Sequence, residues 1–327
     1  MTYYLSGDIG GTKSLLSISA ADARIPLLQK SYASAAFAGM SEILDDFLAE
    51  AGVRNIKSAC LAVAGPVMGR VVSFTNLPWE IDGDALAERY GIKQVALVND
   101  FEAAGYGIDA LTSADLLTLQ TGNEVTQGAR LVMGAGTGLG VAWLTWQQGA
   151  YRVHPSEAGH MDFAPADDIQ VLLLRYLQQR HGHVSCERIV SGPGLVSIFE
   201  FMRDTGLAVP SPRLLAAMAK EDAAAALTQF AQLDDEPIAR MTLDLFLSVY
   251  GAFAGNLALA ALPRGGVYVA GGIAAKIAAQ MQGGEFMKAF LSKGRYTGLL
   301  AKLPLHIVLN PNIGLLGANL IAQRNAG

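Results

Sequence analysis

Cysteine is scarce in this sequence: Cys60 and Cys186 are the only two in 327 residues. They stand in separate apolar and mixed surroundings, which argues against a disulfide framework and a multi-cysteine zinc site and favours the reducing cytoplasm. Charge is sparse as well. Charged residues make up 16% of the chain, the formal net charge is −5, and the basic residues are scattered, so the sequence carries no electrostatic footprint for nucleic acid. The opening stretch MTYYLSGDIGG has no basic n-region and runs straight into strand-like residues, which speaks against a secretory signal. No GxxxxGK[ST] spacing occurs, so phosphate binding through a P-loop is excluded.

One uncharged run, Leu245 to Leu262, is long enough to be weighed as a membrane span. It contains Ser248, Tyr250, Gly251, Gly255 and Asn256 and is fronted by acidic rather than basic residues, so it reads as a buried central helix instead. Gly251 and Gly255 would allow close helix contact inside the core or across a subunit interface.

About half of the chain is apolar, enough at this length to bury a substantial core and to suggest two domains. Tyr3 to Gly7 reads as a strand, Gly10-Gly11 as a tight turn, and Ser14 to Ser19 as a second, alternating strand. A helix is expected from Ser41 to Ala51, with Ile43, Leu44, Phe47 and Leu48 as its apolar stripe, then a buried strand from Ser58 to Ala64. Val71 to Phe74 reads as a strand, Ala85 to Tyr90 as a short helix, and Val95 to Val98 as an apolar strand that delivers Asn99 and Asp100 at its carboxyl end. From Arg130 the pattern restarts: a strand, the glycine-rich turn GAGTGLG (Gly134 to Gly140), and a strand from Val141 to Trp146. Helical periodicity dominates from Asp168 to Leu262, followed by strands at Val267 to Ala270 and His306 to Leu309 and a helix from Ile313. Strands alternating with helices, with glycine-turn hairpins in separate halves, predict an α/β protein built from two related lobes around a cleft.

The first hairpin carries Asp8-Ile9-Gly10-Gly11-Thr12-Lys13. Paired glycines free the backbone to turn its amides toward an anion, and Thr12 and Lys13 add donors, although a bare glycine hairpin also reads as no more than a tight turn. The second hairpin, with Gly134, Gly136, Thr137 and Gly138, strengthens the phosphate reading because a nucleotide could be held from both lobes. Asp8 is placed to order Mg²⁺ through water, or to cap the turn. Asp100 is the leading general-base candidate, since one carboxylate hydrogen-bonded to a sugar hydroxyl can take its proton as the oxygen attacks phosphorus. The same residue could cap the helix that starts at Phe101.

Glu157 and His160 stand together after the strand Tyr151 to His154, and Glu187 and Arg188 follow later. Carboxylates and imidazoles offer the convergent donors and acceptors that a sugar's hydroxyls require. A single glutamate would read as a surface residue. His181 and His183 have no cysteine or carboxylate cluster nearby and read as a helix-end polar turn rather than a metal site. Gly271-Gly272-Ile273 follows the apolar strand Val267 to Ala270 and opens a helix, which suits a flat ring lying on bare backbone, or helix entry alone.

With DIGGTK at Asp8 to Lys13, NDF at Asn99 to Phe101, GAGTGLG at Gly134 to Gly140, EAGHMDF from Glu157, SCERIVSGPG at Ser185 to Gly194 and AGGI at Ala270 to Ile273, the chain resembles bacterial glucokinases from end to end. The resemblance implies the two-lobed actin-like ATPase (ribonuclease H-like) fold, with a nucleotide and sugar cleft between a small α/β lobe (1–110 plus 301–327) and a large one (111–300). It implies ATP-dependent phosphorylation of glucose at the 6-hydroxyl, with Mg²⁺, in a cytoplasmic homodimer that binds neither nucleic acid nor membrane. Carried over position by position, Asp100 is the base, while Asn99, Glu157, His160 and Glu187 hold other hydroxyls and Asn76 helps. Gly10, Gly11, Thr12, Lys13, Gly134, Gly136, Thr137 and Gly138 contact phosphates, and Gly271, Gly272 and Ile273 border the adenosine. The CGxxGC run of related kinases and repressors with a zinc loop is missing here, so structural zinc is not expected. Lys13 stands where several close relatives have Asn.

The nearest rival is the same chemistry on mannose, fructose or an N-acetylhexosamine. A non-catalytic sugar sensor or repressor on the same fold is disfavoured, since no helix-turn-helix precedes Tyr3 and Asp100 is kept. An actin-like or chaperone ATPase without a sugar site is disfavoured by Glu157, His160 and Glu187.

Overall fold

Apolar alternation in the first twenty residues closes into a hairpin in a computed structural model of the chain, which describes every residue except Met1, Asp22, Arg24, Pro66, Met68, Thr75, Asn76, Asp234, Gly283 and Gly327. β1 (Tyr3–Ile9) pairs antiparallel with β2 (Lys13–Ala20), from Tyr3 opposite Ala20 to Ile9 opposite Ser14. β3 (Leu28–Ala33) extends the edge. Its residues, LQKSYA, bury only Tyr32, so it lacks the apolar signal that marks the inner strands. Next come α1 (Met40–Ala51), β4 (Ile56–Val63), the small hairpin β5 (Val71–Ser73) and β6 (Glu80–Asp82), α2 (Gly83–Tyr90), β7 (Val95–Asn99) and α3 (Asp100–Gly107). The sheet order is β3-β2-β1-β4-β7, with β1, β4 and β7 parallel. α1 presents Ile43, Leu44 and Phe47 at the i, i+1, i+4 spacing of an amphipathic helix, and all three are buried in the core beneath that sheet.

The second pattern opens with β8 (Leu116–Gln120), β9 (Arg130–Ala135), β10 (Leu139–Gln147) and β11 (Ala150–Ser156). Four helices follow, α4 (Asp168–His181), α5 (Gly192–Asp204), α6 (Pro212–Lys220) and α7 (Ala223–Phe230), and then the long α8 (Pro237–Ala261). β12 (Val267–Ala270), α9 (Gly272–Lys276), α10 (Ala278–Met281), α11 (Glu285–Leu291), α12 (Thr297–Leu300), β13 (Leu305–Val308) and α13 (Ile313–Arg324) complete the chain. This sheet runs β11-β10-β9-β12-β13-β8, with β9, β12 and β13 parallel.

The chain forms two compact units: Met1–Thr112, Tyr151–Pro155 and Asn310–Gly327 in the first, Ser113–Ala150 and Ser156–Leu309 in the second. Residues 301–309, expected in the small lobe, belong to the second unit because β13 pairs with both β12 and β8. In the first unit α13 packs on α3 at backbone distance. A side chain at Gly317 would collide with the Ala103 carbonyl, and one at Gly107 with that of Ile313, so only glycine fits this crossing.

α8 is long and apolar enough to cross a membrane, yet 67% of its most apolar window is buried inside the protein. It is the core helix of the second unit. Tyr250 packs edge-on between Phe246 and Phe286, with ring centroids 5.7 and 5.5 Å away. Each such buried ring stabilises the fold by about 1.5–3 kcal/mol. Gly251 and Gly255 make close contact inside the core: Gly251 abuts the Phe286 carbonyl and Gly255 that of Phe290, both in α11.

Candidate active site

In the first unit the parallel register brings Ile9, Val63 and Asn99 into one row across β1, β4 and β7. The glycine turn, Asp8 and the Asn99-Asp100 pair therefore share the carboxyl edge of one sheet, where open α/β sheets bind ligands. With β1 and β7 two strand spacings apart, that row spans about 10 Å. The turn is closed by Gly10 N donating to Lys13 O at 2.9 Å. Ser34 braces it from the end of β3, donating its amide to Thr12 O at 3.0 Å and its hydroxyl to Gly10 O at 2.8 Å. Thr12 and Lys13 are exposed at the tip.

Asp8 lies at the root of this turn, its carboxylate against Gly314 at the start of α13, where an added Cβ would sit 3.1 Å from Oδ2. Burial pushes its carboxyl up from the ordinary aspartate value, and the Lys13 charge partly offsets that. Lys13 is thus a charge partner of Asp8.

Asn99, not Asp100, is the N-cap residue of α3. Its Oδ1 accepts from Phe101 N at 2.9 Å and Glu102 N at 3.3 Å, while its Nδ2 donates to Gly65 O at 3.0 Å. Asp100 opens the helix, and its Oδ1 also accepts from Phe101 N at 2.9 Å. Asn99 therefore shapes the site by fixing the entry to α3, and its second amide N–H takes no part in those bonds. Asn76 lies outside the described residues.

In the second unit two short turns carry the polar set. Glu157 precedes the turn Ala158–His160, and Glu187 sits in the turn Cys186–Arg188. Backbone bonds from Cys186 N to Met161 O (2.8 Å) and Phe163 N to Val184 O (2.9 Å) tie the two turns side by side. His160 Nε2 consequently stands 3.9 Å from Glu187 Oε1, and Glu157 and His160 are exposed. Glu187 Oε2 accepts from Leu139 N at 2.9 Å, so the same carboxylate reaches the glycine turn between β9 and β10. That turn is closed by Gly136 N to Gly138 O at 2.8 Å and held by Gly192 N to Gly136 O at 2.8 Å. From below, the buried Tyr250 hydroxyl accepts from Ala135 N at 3.2 Å. His183 is paired with Asp162, Nε2 to Oδ1 at 2.6 Å.

A cavity of about 650 Å³ in the second unit is lined by Gly136 and Thr137 of the turn, by Gly272, Ile273 and Lys276 of α9, by Gly192–Gly194-end residues Gly192, Pro193, Leu195 and Val196, and by Asp222–Ala225 and Thr228. Its size is that of a small-molecule or cofactor pocket. The structure thus brings Gly136, Thr137, Gly272 and Ile273 together. Gly134 is instead buried within β9, opposite Gly140 and beside Ala270, and Gly271 is pressed on Ala135, where an added Cβ would lie 2.5 Å from the carbonyl oxygen. Sequence reasoning missed the α7 wall, since Ala223, Ala224 and Ala225 present no polar group to notice. It also left the GPG at Gly192–Gly194 without a role and passed over Lys276, one turn after Gly272.

The family model for glucokinase matches residues 5–325. A glucokinase of Trichormus variabilis is 42% identical over 341 aligned positions, covering 99% of this chain and the whole of that protein. Among solved structures, a glucokinase from an Antarctic psychrotroph superposes with a TM-score of 0.83 at 28% identity, over 98% of this chain and 99% of that one. A ROK family glucokinase from Streptomyces griseus, at 20% identity over 98% and 99% of the two chains, superposes with a TM-score of 0.66 and so shares the fold. The fold is that of the actin-like ATPases, and a family match over nearly the full length joins it to the motifs at Asp8, Asn99, Gly134, Glu157 and Glu187: the chain belongs to the glucokinase family.

Proposed function

We propose that the chain transfers the γ-phosphoryl group of ATP to the 6-hydroxyl of glucose, giving glucose 6-phosphate and ADP, with Asp100 as the general base. The observation that carries this reading is the single sheet edge in the first unit that presents Asp8, the Gly10–Lys13 turn and Asp100 together. A phosphate-binding turn and a base on one edge are what in-line phosphoryl transfer requires. The Asp100 carboxylate takes the proton as the sugar oxygen attacks the γ-phosphorus and the bond to the β–γ bridging oxygen breaks, leaving ADP. Glu157, His160 and Glu187 orient the sugar through its other hydroxyls, and Asn99 fixes the turn on which the base stands. Backbone amides of the two glycine turns receive the phosphate charge, and the cavity beside Thr137 and Ile273 takes the adenosine.

Mg²⁺ fits the residues present. Asp8 is a partly buried carboxyl pushed up by its surroundings, and a hard cation held through water beside it would stabilise its charged form. When bound, the ion supplies charge neutralisation on the phosphates. We further take the enzyme to work in the cytoplasm as a homodimer; two buried free cysteines agree with a reducing compartment, and the dimer rests on the family resemblance.

The experiment is ADP release from Mg-ATP by the purified protein across a panel of hexoses, beside a no-sugar control. Strong glucose-dependent release is expected. Preference for mannose, fructose or an N-acetylhexosamine would keep the mechanism and change the acceptor, while release independent of sugar would overturn the kinase reading.

A further inference from the structure

We propose that Glu187 links the sugar subsite of the second unit to its phosphate-binding turn, so that each substrate's affinity depends on the other through one carboxylate; the inference rests on the kinase reading above. The two oxygens of Glu187 face different tasks. Oε1 lies 3.9 Å from His160 Nε2, on the side of the sugar-binding set, and the side chain is 30% exposed there. Oε2 is committed to Leu139 N at 2.9 Å, a bond that fixes the far end of the Gly134–Gly140 turn. A carboxylate accepting from a backbone N–H makes a charge-assisted bond, stronger than a neutral one.

Two further contacts make the link tight. The segment that follows Glu187 holds the near end of the same turn, through Gly192 N to Gly136 O at 2.8 Å, and Ser191 Oγ donates to the Glu187 carbonyl at 2.7 Å. Gly138 lies close to the carboxylate: an added Cβ there would sit 2.6 Å from Glu187 Oε2, so the carboxylate would have to give way. A shift of the turn is therefore passed to the carboxylate, and a shift of the carboxylate to the turn. A sugar hydroxyl donating to Oε1 withdraws charge from Oε2 and shifts the bond to Leu139, while a turn tightened on phosphate sets where Oε1 points. Linkage of this kind is reciprocal in binding free energy.

Glu187 is thus a positioning residue for phosphate binding as well as a sugar contact, and the link predicts crossed effects. Gly138→Ala, a change in the phosphate turn, weakens glucose binding by about tenfold by displacing the carboxylate. Glu187→Ala weakens a non-hydrolysable ATP analogue by about tenfold with no sugar present. Glu187→Gln restores analogue binding toward wild type, because its amide oxygen can still accept from Leu139 N–H, but leaves glucose binding weakened.

Calorimetric titrations of the full chain with glucose alone, and with the Mg-analogue alone, test this in wild type, G138A, E187Q, E187A and the G138A/E187A double variant, with thermal melting as the check on folding. The decisive expectation is non-additivity: in the E187A background, G138A costs glucose affinity nothing further. Equal weakening by G138A in both backgrounds, or unchanged glucose affinity in G138A, overturns the link. Should G138A melt far below wild type, the E187A arm decides, and unchanged analogue affinity there overturns it. A wild type that binds no glucose overturns the kinase reading, which is distinguishable from additive variants of a wild type that binds both.

Discussion

The two glycine hairpins have the same outline but draw on near and distant residues in different measure. At the tip of the β1–β2 turn the braces lie close in sequence, Gly10 to Lys13 and then Ser34 to Gly10 and Thr12, with one from farther away at its root, Ala64 N to Ile9 O at 3.2 Å. In the β9–β10 turn the local closure from Gly136 N to Gly138 O is joined by braces from Glu187, Gly192 and Tyr250, 48 and 115 residues away for the two side chains. The tip of the first turn is encoded close to where it forms. The second is shaped by the tertiary core, so its geometry carries information about the rest of its unit, and that is the property a turn needs if binding at one subsite is to be felt at another.

The acids divide the same way. Asp100 stands on the helix entry that Asn99 caps, whereas Glu187 holds a glycine turn through Leu139 N. Replacing Asp100 with Ala should therefore lower kcat by about 10²-fold or more while calorimetry finds glucose still bound. Loss of glucose binding in this variant would mean that the two acids do not differ in kind, and near-normal turnover would remove the base assignment.

A smaller effect is expected at Tyr250, the deepest brace of the second turn. Tyr250→Phe keeps both ring contacts with Phe246 and Phe286 but leaves the Ala135 amide without its acceptor in the core, at a cost of about 1–3 kcal/mol. The apparent KM for ATP should rise by up to about tenfold, and the glucose KM should follow by a smaller factor through the link at Glu187. If the glucose KM rises as far as that for ATP in the E187A background as well, Tyr250 supports the unit at large rather than the turn.

Most of the scaffold was legible because its signals are local. The Gly10-Gly11 and GAGTGLG turns, the apolar strand Val95–Val98 ahead of Asn99, and the uncharged run that became α8 all declare themselves through neighbouring residues. β3 and β8 did not, since Leu28–Ala33 bury one side chain and Leu116–Gln120 none fully. The glycine turns were legible as motifs but their supports were not: nothing in the residues around Tyr250 says that its hydroxyl meets Ala135, and nothing around Glu187 says that one oxygen is spent on Leu139. The cavity wall at Ala223–Ala225 was silent for the reverse reason, because alanines make room by being small. The cap of α3 was only half legible: Asn99 is the N-cap residue, and Asp100, weighed for that role, shares the Phe101 amide with it.

The smallest predicted effect tests the contrast most sharply. Ser34→Ala removes the hydroxyl bond to Gly10 O and the contact with Ser14 Oγ at 2.9 Å, yet the backbone bond from Ser34 N to Thr12 O survives the substitution. A neutral hydrogen bond contributes about 0.5–1.5 kcal/mol net, and here the turn retains two backbone bonds, so the ATP KM should change by no more than about threefold. If Ser34→Ala instead matches Tyr250→Phe in steady-state ATP titrations, then sequence-local bracing is no safer than tertiary bracing. The first turn would then have to be held as rigidly as the second for phosphate to bind, and the division of labour between the two hairpins would disappear.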